Sequence, residues 1–405
     1  MKILFTLPYV PIPLTFGGAI RVFQMIKIAA EHHEVTILTL GTPEEEQALR
    51  NTFGSQITIY VVPNPWVRSY WRVGQLYSLF TQHSFFYKLV ESTEMKNTLD
   101  RLLAENDFDI VQTEFAHTAA YNLSTAAVKI LDSHNVEHDN FRRMYKLAHS
   151  PLRRLHYFCE YKKFRNEEHD ACRRYDFVFT TSKRDKIILD GEVPEIPKYV
   201  IPNGVDSSYF IPSQETPEPY SLVFTGAMSY VPNYDGMLYF LDEIFPLVLQ
   251  QEPKSKIYIV GSKPPKELRR RASNNVIITG YVDDVRPYVN RSSVYVVPLR
   301  IGGGTRLKVL EAMAMKKPIV TTSIGCEGIE IVNGESAIIA DNPQEFADSI
   351  VQLLQDNALR QKITDNGYEI MRTLYDWGII GKQVETLYQT FYSKKTKVIG
   401  QGISV

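Results

Sequence analysis

At 405 residues the chain is longer than one hydrophobic core usually serves, so two domains are expected. Hydrophobic residues make up 44% of it and the formal net charge is -1, which suits a soluble globular protein and gives no global pull toward nucleic acid. The three cysteines, Cys159, Cys172 and Cys326, have no metal-ligand spacing; this argues against a disulfide framework or a zinc site and suits a reducing, cytoplasmic compartment.

The opening run, MKILFTLPYVPIP, is apolar but short and broken by prolines, so it reads as a first buried strand rather than a signal peptide or a membrane span. Gly17 and Gly18 follow, just before the apolar helix AIRVFQMIKIAA with Arg21 near its start. Glycines there let a ligand approach the helix N-terminus; the alternative is a plain strand-to-helix turn. EVTILTL, ITIYVV, DIVQT, VKILDS and FVFTTS continue as strands with room for helices between them. Between Trp66 and Tyr87 aromatic residues crowd together (Trp66, Tyr70, Trp71, Tyr77, Phe80, Phe85, Phe86, Tyr87) beside Arg68, Arg72 and Lys88, a composition open to a core helix pair, a sugar-binding wall or a membrane-facing surface. Asp107 and Asp109 have the spacing of a metal-binding pair but precede the strand IVQT and read as a solvated turn. Residues 142–174 carry ten Lys or Arg against four Asp or Glu, either a solvated helix face or a surface that steers a phosphorylated lipid carrier.

Pro, Asn, Gly and Ser cluster without periodicity in YVIPNGVDSSYFIPSQETPEPY, which marks a linker. YSLVFTG, SKIYIVG, NVIITG, SVYVVPL, PIVTTS and SAIIA then repeat the strand pattern, with helical stretches such as DGMLYFLDEIFPLVLQQ between them. Such alternation predicts an α/β fold of two parallel sheets. The last segment, from about Trp377, has helical apolar spacing with no strand after it and is expected to dock across both domains.

The densest signal runs from Pro298 to Thr322, PLRIGGGTRLKVLEAMAMKKPIVTT. Gly302, Gly303 and Gly304 permit a sharp turn and close approach to a ligand, and Thr305 is the expected N-cap of the helix that follows. The free N–H groups of a first helical turn favour an anion. Arg306 and Lys308 in that turn oppose the helix dipole, which a bound phosphate would compensate. Glu311 on the same helix could accept hydrogen bonds from the vicinal hydroxyls of a ribose.

Together and in this order, Gly17 and Gly18, LDSHN at 131–135, TTSKRD at 180–185, IPNGVD at 201–206, FTGAM at 224–228 and the GGGTRLKVLEAMAMKKPIV block resemble the family 4, glycogen-synthase-like glycosyltransferases of GT-B architecture over nearly the whole length. The resemblance implies two Rossmann-like domains facing each other across a cleft. Residues 1–202 would bind the acceptor, 203–378 the nucleotide-sugar, and 379–405 would form a helix returning to the N-terminal domain. The implied activity is retaining, metal-independent transfer of a sugar from a UDP- or GDP-linked donor to a saccharide, lipid-linked saccharide or protein glycan, with no cofactor. A nucleotide-sugar epimerase or a non-catalytic subunit of the same architecture are the alternatives.

By this resemblance the catalytic set is His134, Arg306, Lys308 and Glu311. The donor would also touch Gly226, Met228, Asn233, Arg300, Gly302, Gly303, Gly304, Thr305 and Leu307, and the acceptor Gly17, Gly18, Arg21, Glu114, His134, Asn135 and Glu137, although Glu114 and Glu137 read equally well as local structure. Two departures stand out: Gly303 occupies a position where many members have glutamate, and GAMSYVPNYDG has no Arg or Lys where a basic pair is usual. Arg300, Arg306 and Lys308 are the expected substitutes. A peripheral contact with the inner face of the membrane and a partner subunit are further expectations.

Overall fold

Apolar strands alternating with helices give each half of the chain its own parallel sheet, as seen in a computed structural model that describes residues 1–64, 78, 81–148 and 150–401. The chain divides into two units, Met1–Pro202 with Gly381–Val405, and Asn203–Ile380.

The first unit runs β1 (Lys2–Leu7), α1 (Gly17–Ala30), β2 (Glu34–Gly41), α2 (Pro43–Phe53), β3 (Ile57–Pro63), α3 (Phe85–Val90), α4 (Thr93–Glu105), β4 (Ile110–Glu114), β5 (Val128–Ser133), α5 (Glu137–Leu147), α6 (Pro151–Arg173), β6 (Phe177–Thr180), α7 (Lys183–Glu192) and β7 (Lys198–Val200). Its strands lie parallel in the order β3-β2-β1-β4-β5-β6-β7. The order reverses between β1 and β4, so a ligand crevice is expected at their carboxyl ends. All five β4 residues are buried, because a central parallel strand has helices on both faces.

The second unit runs β8 (Glu218–Thr225), α8 (Val231–Tyr239), α9 (Phe245–Gln251), β9 (Lys256–Val260), α10 (Lys266–Arg269), β10 (Val276–Gly280), α11 (Arg286–Arg291), β11 (Ser292–Val297), α12 (Leu307–Ala314), β12 (Ile319–Thr321), β13 (Ile338–Ile339), α13 (Pro343–Gln355) and α14 (Asn357–Ile370). The strand order β10-β9-β8-β11-β12-β13 reverses between β8 and β11. The final helix, α15 (Trp377–Gln401), starts in the second unit, and its residues from Gly381 belong to the first, where Val384, Tyr388 and Phe391 are buried and Phe391 stacks on Phe177 at 3.7 Å.

Three sequence expectations change. DGMLYFLDEIFPLVLQQ is not one regular helix: α8 and α9 flank a π-helical stretch, Phe240–Ile244, next to Pro246, whose missing N–H and ring disturb the regular ladder. The expected linker begins inside β7, which completes the edge of the first sheet. Thr305 does not cap α12; the N-cap position is Arg306, with no side-chain cap. In the aromatic stretch Trp66, Arg68, Tyr70, Trp71, Arg72, Tyr77 and Phe80 lie outside the described residues, whereas Phe85 is buried and Phe86 packs on Phe164 at 5.8 Å as ordinary core. Among the described residues no helix is long and apolar enough to cross a membrane.

Candidate functional site

Each sheet carries a polar cluster at its reversal point. In the second unit Gly226 leaves β8 with φ +152°, a conformation that favours glycine, and a Cβ there would lie 2.6 Å from Asn233 Nδ2 and 2.8 Å from Lys308 Nζ. Gly261 presses against it so closely that a Cβ would sit 1.8 Å from the Gly226 carbonyl oxygen. Space at this strand end is therefore kept open for the lysine. Lys308 Nζ donates to Asn233 Oδ1 at 2.7 Å and lies 4.0 Å from the centre of the Phe224 ring. Asn233 in turn donates to the Ala227 carbonyl at 2.9 Å.

Lys308 and Glu311 are three residues apart on α12 and so share a face. Burial lowers the Lys308 ammonium to about 7, with the Glu311 charge opposing the shift and Arg306 adding to it. Burial raises Glu311 to about 7, and Lys308 opposes. A cation and a carboxylate thus lie on one face at the start of α12.

The other expected donor residues separate into distinct roles. Arg306 curls back over the glycine loop, donating to the Gly303 and Gly304 carbonyls and at 3.3 Å to the Ile324 carbonyl. Gly302, at φ +128°, leaves room for it, since a Cβ would meet its guanidinium at 3.0 Å. Arg306 thus ties down the loop. Arg300 is paired with Asp235 at 2.8 Å and stacked over Tyr239 at 4.6 Å. Met228 also changes role: its side chain is 1% exposed and belongs to the core, while its N–H donates to the Ser262 carbonyl. Leu307 is partly buried against that core. Gly303 and Thr305 lie in the partly exposed loop.

In the first unit, Tyr9 follows β1, Phe115 follows β4 and His134 follows β5. His134 Nε2 lies 2.6 Å from Glu114 Oε2, and its ring stacks on Phe115 at 3.7 Å. Phe115 has φ +67°, a strained conformation for a bulky side chain, which marks a position held by its surroundings. Burial lowers His134 to about 3, with Asp132 opposing and Arg21 reinforcing the shift; the ring is neutral. Burial raises Glu114 to about 7, with Gln112 and Arg21 opposing. Either partner can supply the proton of the His134–Glu114 hydrogen bond, and His134 Nδ1 and the Tyr9 hydroxyl are buried polar atoms with no hydrogen-bond partner among the described residues. Gly18 keeps the corner open, since a Cβ would lie 2.8 Å from Tyr9 Oη and 2.9 Å from Phe115. Neighbouring Gly17 opens α1, whose N-cap Phe16 makes no side-chain cap.

Glu114 is tied to the end of the chain: Gln112 Nε2 donates to its Oε1 at 2.7 Å, and Tyr388 of α15 donates to Gln112 Oε1 at 2.5 Å. Asn135 donates to Glu137 at 3.1 Å, and burial, aided by Glu168, raises Glu137 to about 7. Arg21 departs from its expected acceptor role. It is fully buried, holds Asp132 through two bonds of 2.9 Å, and donates to the Ile201 and Pro202 carbonyls. Glu114, Asp132 and His134 converge closely enough to hold a metal ion, but Arg21 already neutralises Asp132 from inside. Tyr9, Phe115 and Gly261 escaped the sequence reading. LPYVP and TEFAH carry no local motif, and Gly261 showed only as a strand ending in glycine.

Comparison with known proteins adds two family matches, to the model described as Glycosyltransferase Family 4 over residues 17–209 and to the model Glycosyl transferases group 1 over 219–356. A 44.6 kDa protein in the cps region of Klebsiella pneumoniae is 22% identical over 377 residues, covering 90% of this chain and 94% of that protein. The capsular polysaccharide biosynthesis glycosyltransferase CapM of Staphylococcus aureus is 25% identical over 166 residues, 39% of this chain and 43% of CapM. The phosphatidyl-myo-inositol mannosyltransferase of Mycolicibacterium smegmatis is 26% identical over 216 residues, 51% of this chain and 53% of that enzyme. The match thus spans about half or less of the length of these two relatives of stated activity. Among solved structures, sucrose-phosphate synthase from Thermosynechococcus elongatus superimposes with a TM-score of 0.69 at 16% identity, covering 97% of this chain and 100% of that one. HepE of Anabaena, solved in complex with UDP-glucose, gives 0.67 at 16% identity, covering 96% and 100%. At such identity these structures speak to the fold alone.

Proposed function

Because the chain belongs to the family 4 glycosyltransferases, proteins of GT-B fold, we propose that it transfers a sugar from a nucleoside diphosphate donor, UDP- or GDP-linked, to a hydroxyl of a saccharide or lipid-linked saccharide, with retention and without a metal. The observation that carries this reading is the Gly226, Asn233, Lys308 and Glu311 cluster at the β8–β11 reversal. Lys308 and the first-turn N–H groups of α12 would neutralise the leaving diphosphate, work a divalent cation could otherwise do, and preorganised charge of this kind lowers a barrier by several kcal/mol. Glu311 would accept the ribose hydroxyls. His134 Nδ1 would hydrogen-bond a sugar hydroxyl and fix its orientation. Front-face attack, with the departing phosphate taking the acceptor proton, would account for retention without a carboxylate nucleophile, and Glu114 would hold His134 in place while accepting from Gln112.

A surface polysaccharide precursor is the proposed acceptor, supported by the Klebsiella and CapM relatives. A lipid-linked acceptor would bring the first unit to an anionic membrane surface, and α6 presents Leu152 and Leu155, 81% and 56% exposed, beside exposed Arg153 and Arg154. The test is to screen UDP- and GDP-sugars with acceptor extracts. Nucleoside diphosphate released only when acceptor is present, with the donor's anomeric configuration kept in the NMR spectrum of the product, supports the proposal. An altered donor without release would indicate an epimerase, and no turnover with any donor would indicate a non-catalytic subunit.

A further inference from the structure

Outside both clusters, three helices of the first unit bring imidazoles and a carboxylate together. His138 lies in the first turn of α5, His169 near the end of α6, and Glu192 is the last residue of α7. His138 Nε2 lies 2.9 Å from Glu192 Oε2, and His169 Nε2 lies 2.9 Å from the same oxygen. The ligand atoms of all three lie within 4.8 Å of one another. Behind them, His138 Nδ1 is 2.6 Å from Glu168 Oε2, and Glu168 is itself fixed by the N–H groups of Glu137 and His138 at 2.9 Å each. Arg165 holds the other Glu192 oxygen at 3.2 Å, which leaves Oε2 aimed at the imidazoles.

We propose that His138, His169 and Glu192 form a divalent-metal site that clamps α5, α6 and α7. Two imidazole nitrogens and one carboxylate oxygen suit zinc or a similar borderline cation, whereas magnesium and calcium prefer oxygen. A neutral His138 then donates Nδ1–H to Glu168 and offers its Nε2 lone pair to the ion, the carboxylate-histidine arrangement that orients metal ligands. Without an ion, both ends of His138 face carboxylates, and only the imidazolium satisfies them. Metal–ligand distances of about 2.1 Å place tetrahedral ligands roughly 3.4 Å apart, so the contacts seen need to open by only about 0.5 Å. The fourth position would be filled by water. Because α5 begins two residues after Asn135, the clamp would hold the segment that carries His134 and Glu137.

The test uses untagged full-length protein, stripped with chelator and titrated with Co²⁺ and then Zn²⁺. The expected result is one equivalent of Co²⁺ bound in the micromolar range with the visible bands of a tetrahedral ion, displaced by Zn²⁺, and a melting temperature raised several degrees by Zn²⁺. His169→Gln and Glu192→Gln should each weaken binding at least about tenfold and abolish the zinc shift. His33→Gln, which breaks the 2.7 Å His33–Glu385 pair elsewhere in the unit, should leave binding unchanged. Wild-type protein that takes up no Co²⁺ saturably, or equal binding in both variants, overturns the site. Should a variant not fold, the wild-type titration decides alone.

Discussion

At Gly226 the room left by a missing Cβ decides where Lys308 can lie. A methyl group there would meet Lys308 Nζ at 2.8 Å; Lys308→Ala and Glu311→Ala should each lower donor kcat/KM about a hundredfold while the fold survives. Donor affinity and melting temperature check this, and normal affinity in Lys308→Ala and Glu311→Ala would remove the site assignment. The pH dependence follows from the same pair. Capture of a diphosphate needs Lys308 charged, which is lost as pH rises through about 7; ribose binding needs Glu311 ionised, which is lost as pH falls through about 7. The profile of kcat/KM against pH should therefore be a narrow bell near neutrality whose limbs belong to the pair rather than to either residue. A flat profile across that range would contradict it. Arg21 calls for a stability measurement instead. Arg21→Ala strands Asp132, 0% exposed, without its partner and should cost about 3–5 kcal/mol in a urea titration, since breaking a buried pair leaves an uncompensated charge. A loss below about 1 kcal/mol would return Arg21 to the list of ligand contacts.

At the scale of elements, α12 and α6 illustrate how far periodicity carries. The glycine-rich block places α12 well, and Leu310 and Ala314, four residues apart, fall on its buried face. Its cap is misread: Thr305 has the right chemistry, but the arginine that follows folds back on the loop carbonyls and sets where the helix begins. On α6 the excess of basic residues is legible, but which side faces solvent is not. Leu152 and Leu155 emerge as exposed while Phe164 and Cys172 are buried. Leu152→Glu with Leu155→Glu should abolish flotation with anionic vesicles at low salt and leave turnover of a soluble acceptor unchanged. Wild-type protein that stays with the soluble fraction would end the membrane proposal.

For the whole molecule, the useful fact is that both sheets reverse strand order where their polar clusters sit, β1–β4 in one unit and β8–β11 in the other. A donor nucleotide should stabilise the second unit. At a hundred times its dissociation constant it adds about 2.7 kcal/mol, enough to separate UDP from GDP in a thermal-shift screen. If neither nucleotide shifts the transition, the donor site fails whatever the activity assays report.

The sequence by itself determined the α/β alternation and the likeness to glycosyltransferases of GT-B fold, and it pointed to the glycine-rich block and the loop after β5, because strand and helix periods and backbone-permissive glycines are written locally. Only the tertiary structure decided where the arginines go. Arg300 goes to Asp235, Arg306 to the loop carbonyls and Arg21 to Asp132, partners that lie 65, 2 to 18 and 111 residues away in the chain. It also revealed Tyr9 and Phe115 beside His134, since the ends of β1, β4 and β5 become neighbours only when the sheet assembles. Charge and burial depend on neighbours, and most of those neighbours are distant in sequence.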